Sequence, residues 1–141
     1  MQIMARGYIA SGEFNGYRAP QHLQNQVVKA YCDSNKLNFV LSRAEYWING
    51  STQCQLWAAL NEGFKHIVFF SLWQLPQDDS ERDSVYNHCK SRGIMLHFAV
   101  ERMSTDSTEN SIKDLEVLIK TNLMVLEYKN DNYLESLQKL I

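Results

Sequence analysis

One apolar segment, HIVFFS at 66–71, constrains the fold more than any other part of the sequence. Its unbroken β-branched and aromatic residues are typical of a strand that is covered on both faces. Shorter runs of the same kind predict further strands at 5–10, 38–42 and 94–100. Amphipathic segments between the strands predict helices at 20–36, 51–63 and 78–93. The alternation predicts a three-layer α/β fold, with helices on both faces of a mostly parallel sheet of four or five strands.

The ends of the helices support this assignment. Pro20 suits a first helical position, because its missing N–H group would have no helical partner there. The segment 78–93 is acidic at its start and basic at its end, which complements the helix dipole. Gly93 is typical of the residue at which a helix stops. The buried face of the first helix is predicted to consist of Leu23, Val27, Ala30 and Tyr31.

A chain of 141 residues predicts a single domain, 1–141. The tail at 103–141 is less regular than the rest. It contains a predicted helix at 111–122, a strand or further helix at 123–128 and a closing helix at 131–141. The apolar residues of the tail suggest an oligomerisation element, so we expect a homo-oligomer.

Composition excludes several classes of function. The chain has 14 Lys and Arg against 16 Asp and Glu, a net charge of −2. A basic excess typical of nucleic-acid-binding domains is missing, so no nucleic-acid partner is predicted. No apolar stretch is long enough to cross a bilayer, and the first ten residues lack signal-peptide features. We therefore expect a cytoplasmic protein with no membrane partner.

Sequence fingerprints for cofactors and metals are also missing. The segment GEFNG after the first strand is neither a dinucleotide-binding nor a P-loop motif. Cys32, Cys54 and Cys89 have no zinc-finger spacing and are predicted to be buried free thiols. No metal and no cofactor are predicted.

Polar side chains follow the end of each predicted strand. Because ligands of open α/β sheets bind beyond the carboxyl ends of the strands, these side chains share one candidate edge. The predicted substrate-binding residues at this edge are Ser11, Arg18, Gln21, Asn25, Ser42, Tyr46, Ser71, Gln74 and Glu101.

The segment RAPQHLQNQ at 18–26 opens the first helix at this edge. The free N–H groups of a helix start attract anions, and Arg18 can add contacts to a carboxylate or a phosphate. A first turn that simply faces water explains the same polar residues. Both interpretations stay open from the sequence pattern alone.

Acid–base chemistry is predicted for His22, Glu45 and His97. Histidine titrates near neutral pH, and a carboxylate beside a histidine is the smallest acid–base pair. The alternatives are a buried, hydrogen-bonded His97 and a salt bridge at Glu45. His66 and His88 are predicted to be structural.

Three segments resemble, in this order, the catalytic domain of serine recombinases (resolvases and invertases). They are RGYIASGEFNGYRAPQHLQNQ, HIVFFSLWQLPQD and SRGIMLHFAVE. The resemblance covers residues 5–102 and implies that domain's fold.

The reactive residues of the recombinases do not carry over. With the sequences aligned on Tyr8, Gly12 stands at the position of the nucleophilic serine and Ala10 at that of the neighbouring arginine. Ser11 lies one place early. The Asp-Arg-x-x-Arg segment of the family is replaced here by Trp73, Gln74, Leu75, Pro76 and Gln77. DNA cleavage would lack its electrostatic stabilisation, so the resemblance argues against that activity.

A second resemblance is to the sporadic carbohydrate cluster proteins of bacteria. The matching pieces are GYI, RAPQHLQNQV, YC, LSRAEYW, SLWQLP and LHFAVE, between residues 7 and 101. It implies a setting in surface-polysaccharide or unusual-sugar biosynthesis. It also implies a shared polar set, in which His22, Gln24, Glu45 and His97 join the predicted substrate-binding residues.

Two hypotheses of function follow. The first is a small enzyme that acts on a carbohydrate, a sugar or a sugar acid, by proton transfer of the epimerase or isomerase kind. The second is a non-catalytic regulatory module that binds a sugar or a partner on a degenerate recombinase-like fold.

Overall fold

The computed structural model describes residues 2–13, 18–46 and 53–122. The strands are β1 (Met4–Ala10), β2 (Asn38–Glu45), β3 (His66–Phe69), β4 (Met95–Phe98) and β5 (Met103–Thr105). The helices are α1 (Gln21–Ser34), α2 (Cys54–Leu60) and α3 (Asp79–Arg92), with a 3₁₀ turn at Leu72–Gln74. A fourth helix, α4, covers 109–122.

The five strands form one sheet in the order β2-β1-β3-β4-β5. The first four strands are parallel, and β5 is antiparallel to β4. The predicted α/β fold with a mostly parallel sheet is confirmed. The antiparallel strand lies at the start of the tail, where the sequence pattern predicted no strand. The predicted strand at 123–128 and closing helix at 131–141 lie outside the described residues.

The ends of α3 follow the sequence pattern. Asp78 caps the helix, and its side chain accepts from the N–H group of Glu81 at 3.0 Å. Gly93 follows the helix in the left-handed conformation, with φ of 66°. Glycine adopts this conformation without steric cost, which is why the helix stops where the sequence predicts.

The sheet carries a core on each face. On the α1 face, Ile9, Val28, Cys32 and Val68 belong to one buried cluster. On the opposite face, the ring of Phe69 contacts Tyr8 and Phe98, with ring centroids 5.1 Å and 5.3 Å apart. Alternating side chains on each strand supply both layers, as a sheet covered on two sides requires.

The opposite face is covered by α2 and α3, whose buried residues include Leu56, Leu60 and Val85. His88 links these two helices, since its Nε2 donates to Leu60 O at 3.1 Å. Cys89 is buried there too, and burial raises the pKa of its thiol to about 12. Cys54, in contrast, is exposed, so the prediction of a third buried thiol is wrong.

The buried face of α1 differs from the prediction by one position. Gln24, Val28 and Cys32 are fully buried, four residues apart along the helix. Leu23 is 43% exposed, and Ala30 is exposed. The prediction followed apolar residues only, whereas the stripe that faces the sheet begins with a glutamine.

The chain divides into two compact units, Met1–Ser107 and Thr108–Ile141. The first unit contains the whole sheet. In the second, α4 agrees with the predicted helix at 111–122, and its buried positions are Leu115 and Ile119. The single domain and the oligomerisation role of the tail remain predictions. Within the described ranges, no helix is long and apolar enough to cross a membrane.

Candidate functional site

The carboxyl ends of β1 and β2 are tied together by Ser11. Its N–H group donates to Glu45 O at 2.9 Å, and its hydroxyl donates to Tyr46 O at 2.7 Å. Ala10 lies directly opposite Glu45 in the two strands. The Ser11 hydroxyl therefore serves the backbone of the neighbouring strand.

Gln24 joins α1 to the same edge. Its Nε2 donates to Ala10 O at 2.6 Å and to Ala19 O at 2.8 Å. Its Oε1 accepts from Ala10 N at 3.0 Å and from Gln74 Nε2 at 2.9 Å. Both donors of the amide and both lone pairs of its oxygen are thus used. Gln24 has no exposed surface, so these four contacts remove the cost of burying its polar group.

Glu45 is buried at the end of β2, and one of its oxygens holds the start of α2. Its Oε2 accepts from the N–H groups of Gln55 at 3.0 Å and Leu56 at 3.2 Å. The same oxygen accepts from the Tyr8 hydroxyl at 3.0 Å. A carboxylate at a helix start is favoured by both the free N–H groups and the helix dipole.

Gln53, the residue directly before α2, is the last member of this hydrogen-bonded group. Its Nε2 donates to the Tyr8 hydroxyl at 3.0 Å and to Gln74 O at 2.9 Å. Burial raises the pKa of Tyr8 above its ordinary value, so its hydroxyl stays protonated. We refer to Tyr8, Gln24, Glu45, Gln53 and Gln74 as the buried polar frame.

The loop after β3 is held by Ser71 and Glu101. Ser71 donates through Oγ to Glu101 Oε2 at 2.9 Å, and Leu72 N donates to Glu101 Oε1 at 2.8 Å. Ser71 Oγ also accepts from Trp73 N at 3.2 Å and thereby caps the 3₁₀ turn. Both carboxylate oxygens of Glu101 are therefore used to fix the loop.

An open pocket of about 520 Å³ lies where α1 begins. It is lined by Ser11, Arg18, Ala19, Pro20 and Gln21. Pro20 precedes the helix, no side chain caps the helix start, and no acidic residue lies in its first turn. The pocket therefore combines helix N–H groups that no side chain caps with one arginine, a combination that suits an anion.

Arg18 is exposed, and no hydrogen bond or ion pair joins it to another residue that the structure describes. Other arginines are engaged within the chain. Arg6 and Arg43 contact Glu62 at 2.8 Å and 2.7 Å. Buried Arg82 donates to Pro76 O at 3.2 Å. Arg18 is thus the cation that this edge offers to a ligand.

His97 lies in the interior on the α1 face. Its Nδ1 contacts the Tyr31 hydroxyl at 2.8 Å, and its Nε2 contacts His66 Nδ1 at 2.9 Å. Burial, followed by the neighbouring His66, lowers the pKa of His97 to about 4. His97 is therefore neutral at physiological pH.

The three predicted catalytic residues occupy three different environments. His22 is exposed on α1, Glu45 is in the buried polar frame, and His97 is bonded to Tyr31 and His66. In the described ranges, no hydrogen bond joins any two of the three. Their catalytic roles remain predictions, without a shared site to support them.

Six of the nine predicted substrate-binding residues lie at the strand ends or in the pocket. Ser71, Gln74 and Glu101 are hydrogen-bonded within the protein at the strand ends, Arg18 and Gln21 line the pocket, and Ser11 does both. Tyr46 is 85% exposed. Asn25 and Ser42 each bury a side-chain oxygen that has no hydrogen-bond partner among the described residues.

Gln53 was absent from the predicted site residues, and Gln24 entered only through the polar set that the second resemblance implied. Gln24 was visible in the sequence as a glutamine four residues before Val28 and eight before Cys32, which is one continuous helical stripe. Gln53 carried no comparable pattern. In the part of the chain that the structure describes, no three His, Cys, Asp or Glu side chains form a metal-binding group.

Comparison with known proteins supports the fold and no narrower assignment. No family model matches the chain, and no curated protein matches it. Among solved structures, a resolvase family site-specific recombinase from Streptococcus pneumoniae superposes with a TM-score of 0.63 at 13% identity, over 92% of this chain and 93% of that one. The N-terminal catalytic domain of TP901-1 integrase superposes with a TM-score of 0.57 at 15% identity, over 89% and 98%.

The fold is therefore that of recombinase catalytic domains, as the first resemblance implied. The second resemblance, to the sporadic carbohydrate cluster proteins, receives no support from these comparisons and stays a prediction.

The predicted set of partners is wrong. It excluded nucleic acid on the basis of net charge, but both structural neighbours are recombination proteins, a class that acts on DNA. A net charge of −2 describes the whole surface and does not report on one local site. The carbohydrate substrate and the homo-oligomer in the same prediction receive no support either.

Proposed function

We propose that this protein is a non-catalytic binding module on a recombinase-like fold, which recognises a phosphate or carboxylate group at the pocket where α1 begins. The observation that carries the proposal is the pocket itself. Arg18 is exposed there beside an uncapped helix start, with the Ser11 and Gln21 side chains on its walls.

The buried polar frame supports binding over catalysis. A general acid or base must reach a ligand, yet Tyr8 and Glu45, the ionisable side chains of the frame, are 0% and 5% exposed, and its three glutamines are at most 3% exposed. Their donors and acceptors bond to strand ends, to helix starts and to one another. This arrangement holds the edge rigid, which suits a preorganised binding site.

The position of the pocket also supports the proposal. It follows β1, where the aligned recombinases carry their nucleophilic serine and an arginine, whereas this chain has Gly12 and Ala10. Buried Arg82 bonds to the carbonyls of Pro76 and Gln77, so its guanidinium is directed at the protein backbone. An anion at this edge would find neither the serine nor the arginine of the recombinase pattern, and the Ser11 hydroxyl on the pocket wall already donates to Tyr46 O.

The enzymatic alternative, proton transfer on a sugar or a sugar acid, has less support from the geometry. It needs a base and an acid on either side of one ligand, and His22, Glu45 and His97 lie in three separate environments. We propose that any small ligand is bound unchanged.

The pocket can be tested by calorimetric titration with inorganic phosphate and with a short DNA duplex. Arg18→Ala should weaken binding of the ligand at least about tenfold, which is roughly 1.4 kcal/mol. Arg92→Ala is the matched control, because Arg92 is also exposed but lies at the end of α3. Binding of the duplex should also weaken as salt is raised.

The two ligands separate the possible sources of the anion. Binding of phosphate alone indicates a small ligand, and Arg18-dependent binding of the duplex indicates a nucleic-acid backbone. Equal affinities in wild type and Arg18→Ala contradict the proposal. Nicking of a supercoiled plasmid by wild type, lost in Ser11→Ala, would contradict its non-catalytic part.

A further inference from the structure

Three titratable side chains form an unbroken hydrogen-bonded chain on the α1 face. Tyr31 Oη lies 2.8 Å from His97 Nδ1, and His97 Nε2 lies 2.9 Å from His66 Nδ1. The rings of His97 and Tyr31 also meet edge to face, with centroids 5.5 Å apart. Both ring nitrogens of His97 are thus hydrogen-bonded, Nδ1 to Tyr31 and Nε2 to His66.

The two ends of this chain face different surface pockets. Tyr31 lines a groove of about 640 Å³ together with Ser34, Asn35 and Arg102. His66 lines a second pocket of about 510 Å³ at the amino edge of the sheet, together with Glu62 and Lys65. Neither pocket includes the residues of the proposed anion site.

The hydrogen bonds permit two proton arrangements when both rings are neutral. In one, Tyr31 donates to His97 Nδ1, His97 Nε2–H donates to His66 Nδ1, and His66 carries its proton on Nε2. In the other, His66 Nδ1–H donates to His97 Nε2, and His97 Nδ1–H donates to Tyr31. The two neutral histidines must therefore have the same tautomer: both rings carry the proton on Nε2, or both carry it on Nδ1.

We propose that Tyr31, His97 and His66 form a proton relay, through which Tyr31 takes a proton from a ligand in the groove while His66 releases one at the amino edge. The Tyr31 proton moves to His97 Nδ1 as the ligand's proton reaches the Tyr31 oxygen. The His97 Nε2 proton moves to His66 Nδ1, and His66 Nε2–H gives its proton to water. One proton enters and one leaves, and all three groups end neutral.

A corollary links the charge of His66 to the groove. A doubly protonated His66 donates from Nδ1, so His97 must accept at Nε2 and carry its own proton on Nδ1. Tyr31 then accepts, and its hydroxyl proton is free to point into the groove as a donor. The state of the amino-edge pocket thus sets the hydrogen-bonding polarity of Tyr31.

Arg102 lines the groove beside Tyr31, whereas at the amino edge the charged groups are already engaged. Glu62 is paired with Arg6 and Arg43, and Lys65 donates to Arg92 O at 2.6 Å. Around His97, α1 contributes Tyr31, β3 contributes His66, and β5 contributes Ser104 opposite it in the strand register. Burial lowers the pKa of both histidines, which favours the neutral rings that the relay requires.

The relay can be tested by long-range ¹H–¹⁵N NMR of the protein labelled in its histidine rings. In wild type near neutral pH, we expect His66 and His97 to show protons on like-named nitrogens. On acidification, His66 should become doubly protonated first, with His97 still neutral and in the Nδ1–H form. Unlike nitrogens at neutral pH, or His97 in the Nε2–H form beside a charged His66, would overturn the relay.

Tyr31→Phe provides a second measurement in the same spectra. It should shift the ring nitrogens of His66, which Tyr31 does not contact, as well as those of His97. The matched control is Tyr46→Phe, which removes a hydroxyl from a side chain that is 85% exposed. His88 is an internal reference, because its Nε2–H is fixed by Leu60 O. A folded Tyr31→Phe protein with unchanged His66 resonances contradicts the coupling. If that variant unfolds, the tautomers of His66 and His97 in wild type still test the relay.

Discussion

The interior of this protein accepts a glutamine at position 24 because its amide is completely bonded. Gln24 makes four hydrogen bonds of 2.6 to 3.0 Å, three of them to backbone atoms of Ala10 and Ala19. A buried polar group costs little when it is satisfied, but leaving its partners without a bond costs about 1–3 kcal/mol for each group. Position 24 should therefore be among the least tolerant in the chain.

Gln24→Ala tests this expectation against Gln21→Ala. The first change leaves atoms of Ala10, Ala19 and Gln74 unbonded, so we expect a loss of about 3–5 kcal/mol of unfolding free energy. Gln21 is exposed one turn earlier in the same helix and should change stability by less than about 0.5 kcal/mol. Urea unfolding of both variants gives the comparison. Similar losses would mean that the buried frame does not hold the edge.

His97 gives the protein a pH-dependent stability that can be isolated by substitution. Its pKa in the folded protein is about 4, below the ordinary value of 6.5, so the unfolded chain binds more protons between these values. Stability from this residue is present above pH 6.5 and is lost as pH falls towards 4. The loss is about 3 kcal/mol for a difference of this size.

The measurement is the unfolding free energy of wild type and His97→Gln at several values between pH 4 and 7. The difference between the two proteins should change with pH, since other groups are common to both. His66 acts in the same direction because its pKa is also lowered. A pH-independent difference would show that His97 is not a buried neutral histidine.

At the scale of elements, the four parallel strands and the ends of α3 were predictable, whereas β5 and the orientation of α1 were not. The apolar run at 66–71, the acidic start of the segment 78–93 and the stop at Gly93 are local signals, and the structure agrees with them. The rotation of α1 depends on Gln24 meeting the end of β1, which is a contact between distant residues. Apolar spacing alone favoured Leu23, and tertiary bonding favoured Gln24.

The pairing of β1 with β2 rests on a close approach at Gly7. The register shifts between Ala5 and Gly7, and a Cβ at position 7 would meet Ser42 Oγ and would lie 2.8 Å from Phe39 Cε2. Gly7→Ala should therefore cost about 1–3 kcal/mol through overpacking.

Ser42→Gly in the Gly7→Ala background should recover part of this loss, because it removes the nearer obstacle. A double-mutant cycle by thermal unfolding measures the coupling between the two positions. Purely additive effects would contradict a direct steric contact between residues 7 and 42.

At the scale of the whole molecule, the fold was predictable and the partners were not. The order of strands and helices in the sequence led to the recombinase-like architecture that two solved structures share. The site could not be predicted, because the sequence does not show which polar side chains are hydrogen-bonded within the protein. The sequence pattern placed Glu45, Gln74 and Arg18 at one edge. The structure shows that Glu45 and Gln74 are buried in the frame and that Arg18 is exposed.

The prediction that excluded a nucleic-acid partner relied on net charge, which is a poor guide to a local site. A single exposed arginine beside an uncapped helix start creates a local positive field that a chain-wide charge of −2 does not report. Binding therefore has to be measured at the pocket.

The most direct measurement is a titration of the ¹⁵N-labelled protein with inorganic phosphate, followed by ¹H–¹⁵N correlation spectra. We predict that the amides of Ser11, Ala19 and Gln21 shift together and saturate, and that these shifts are lost in Arg18→Ala. Shifts that are absent, or that cluster away from the start of α1 in wild type, would contradict the account of this edge as an anion-binding site.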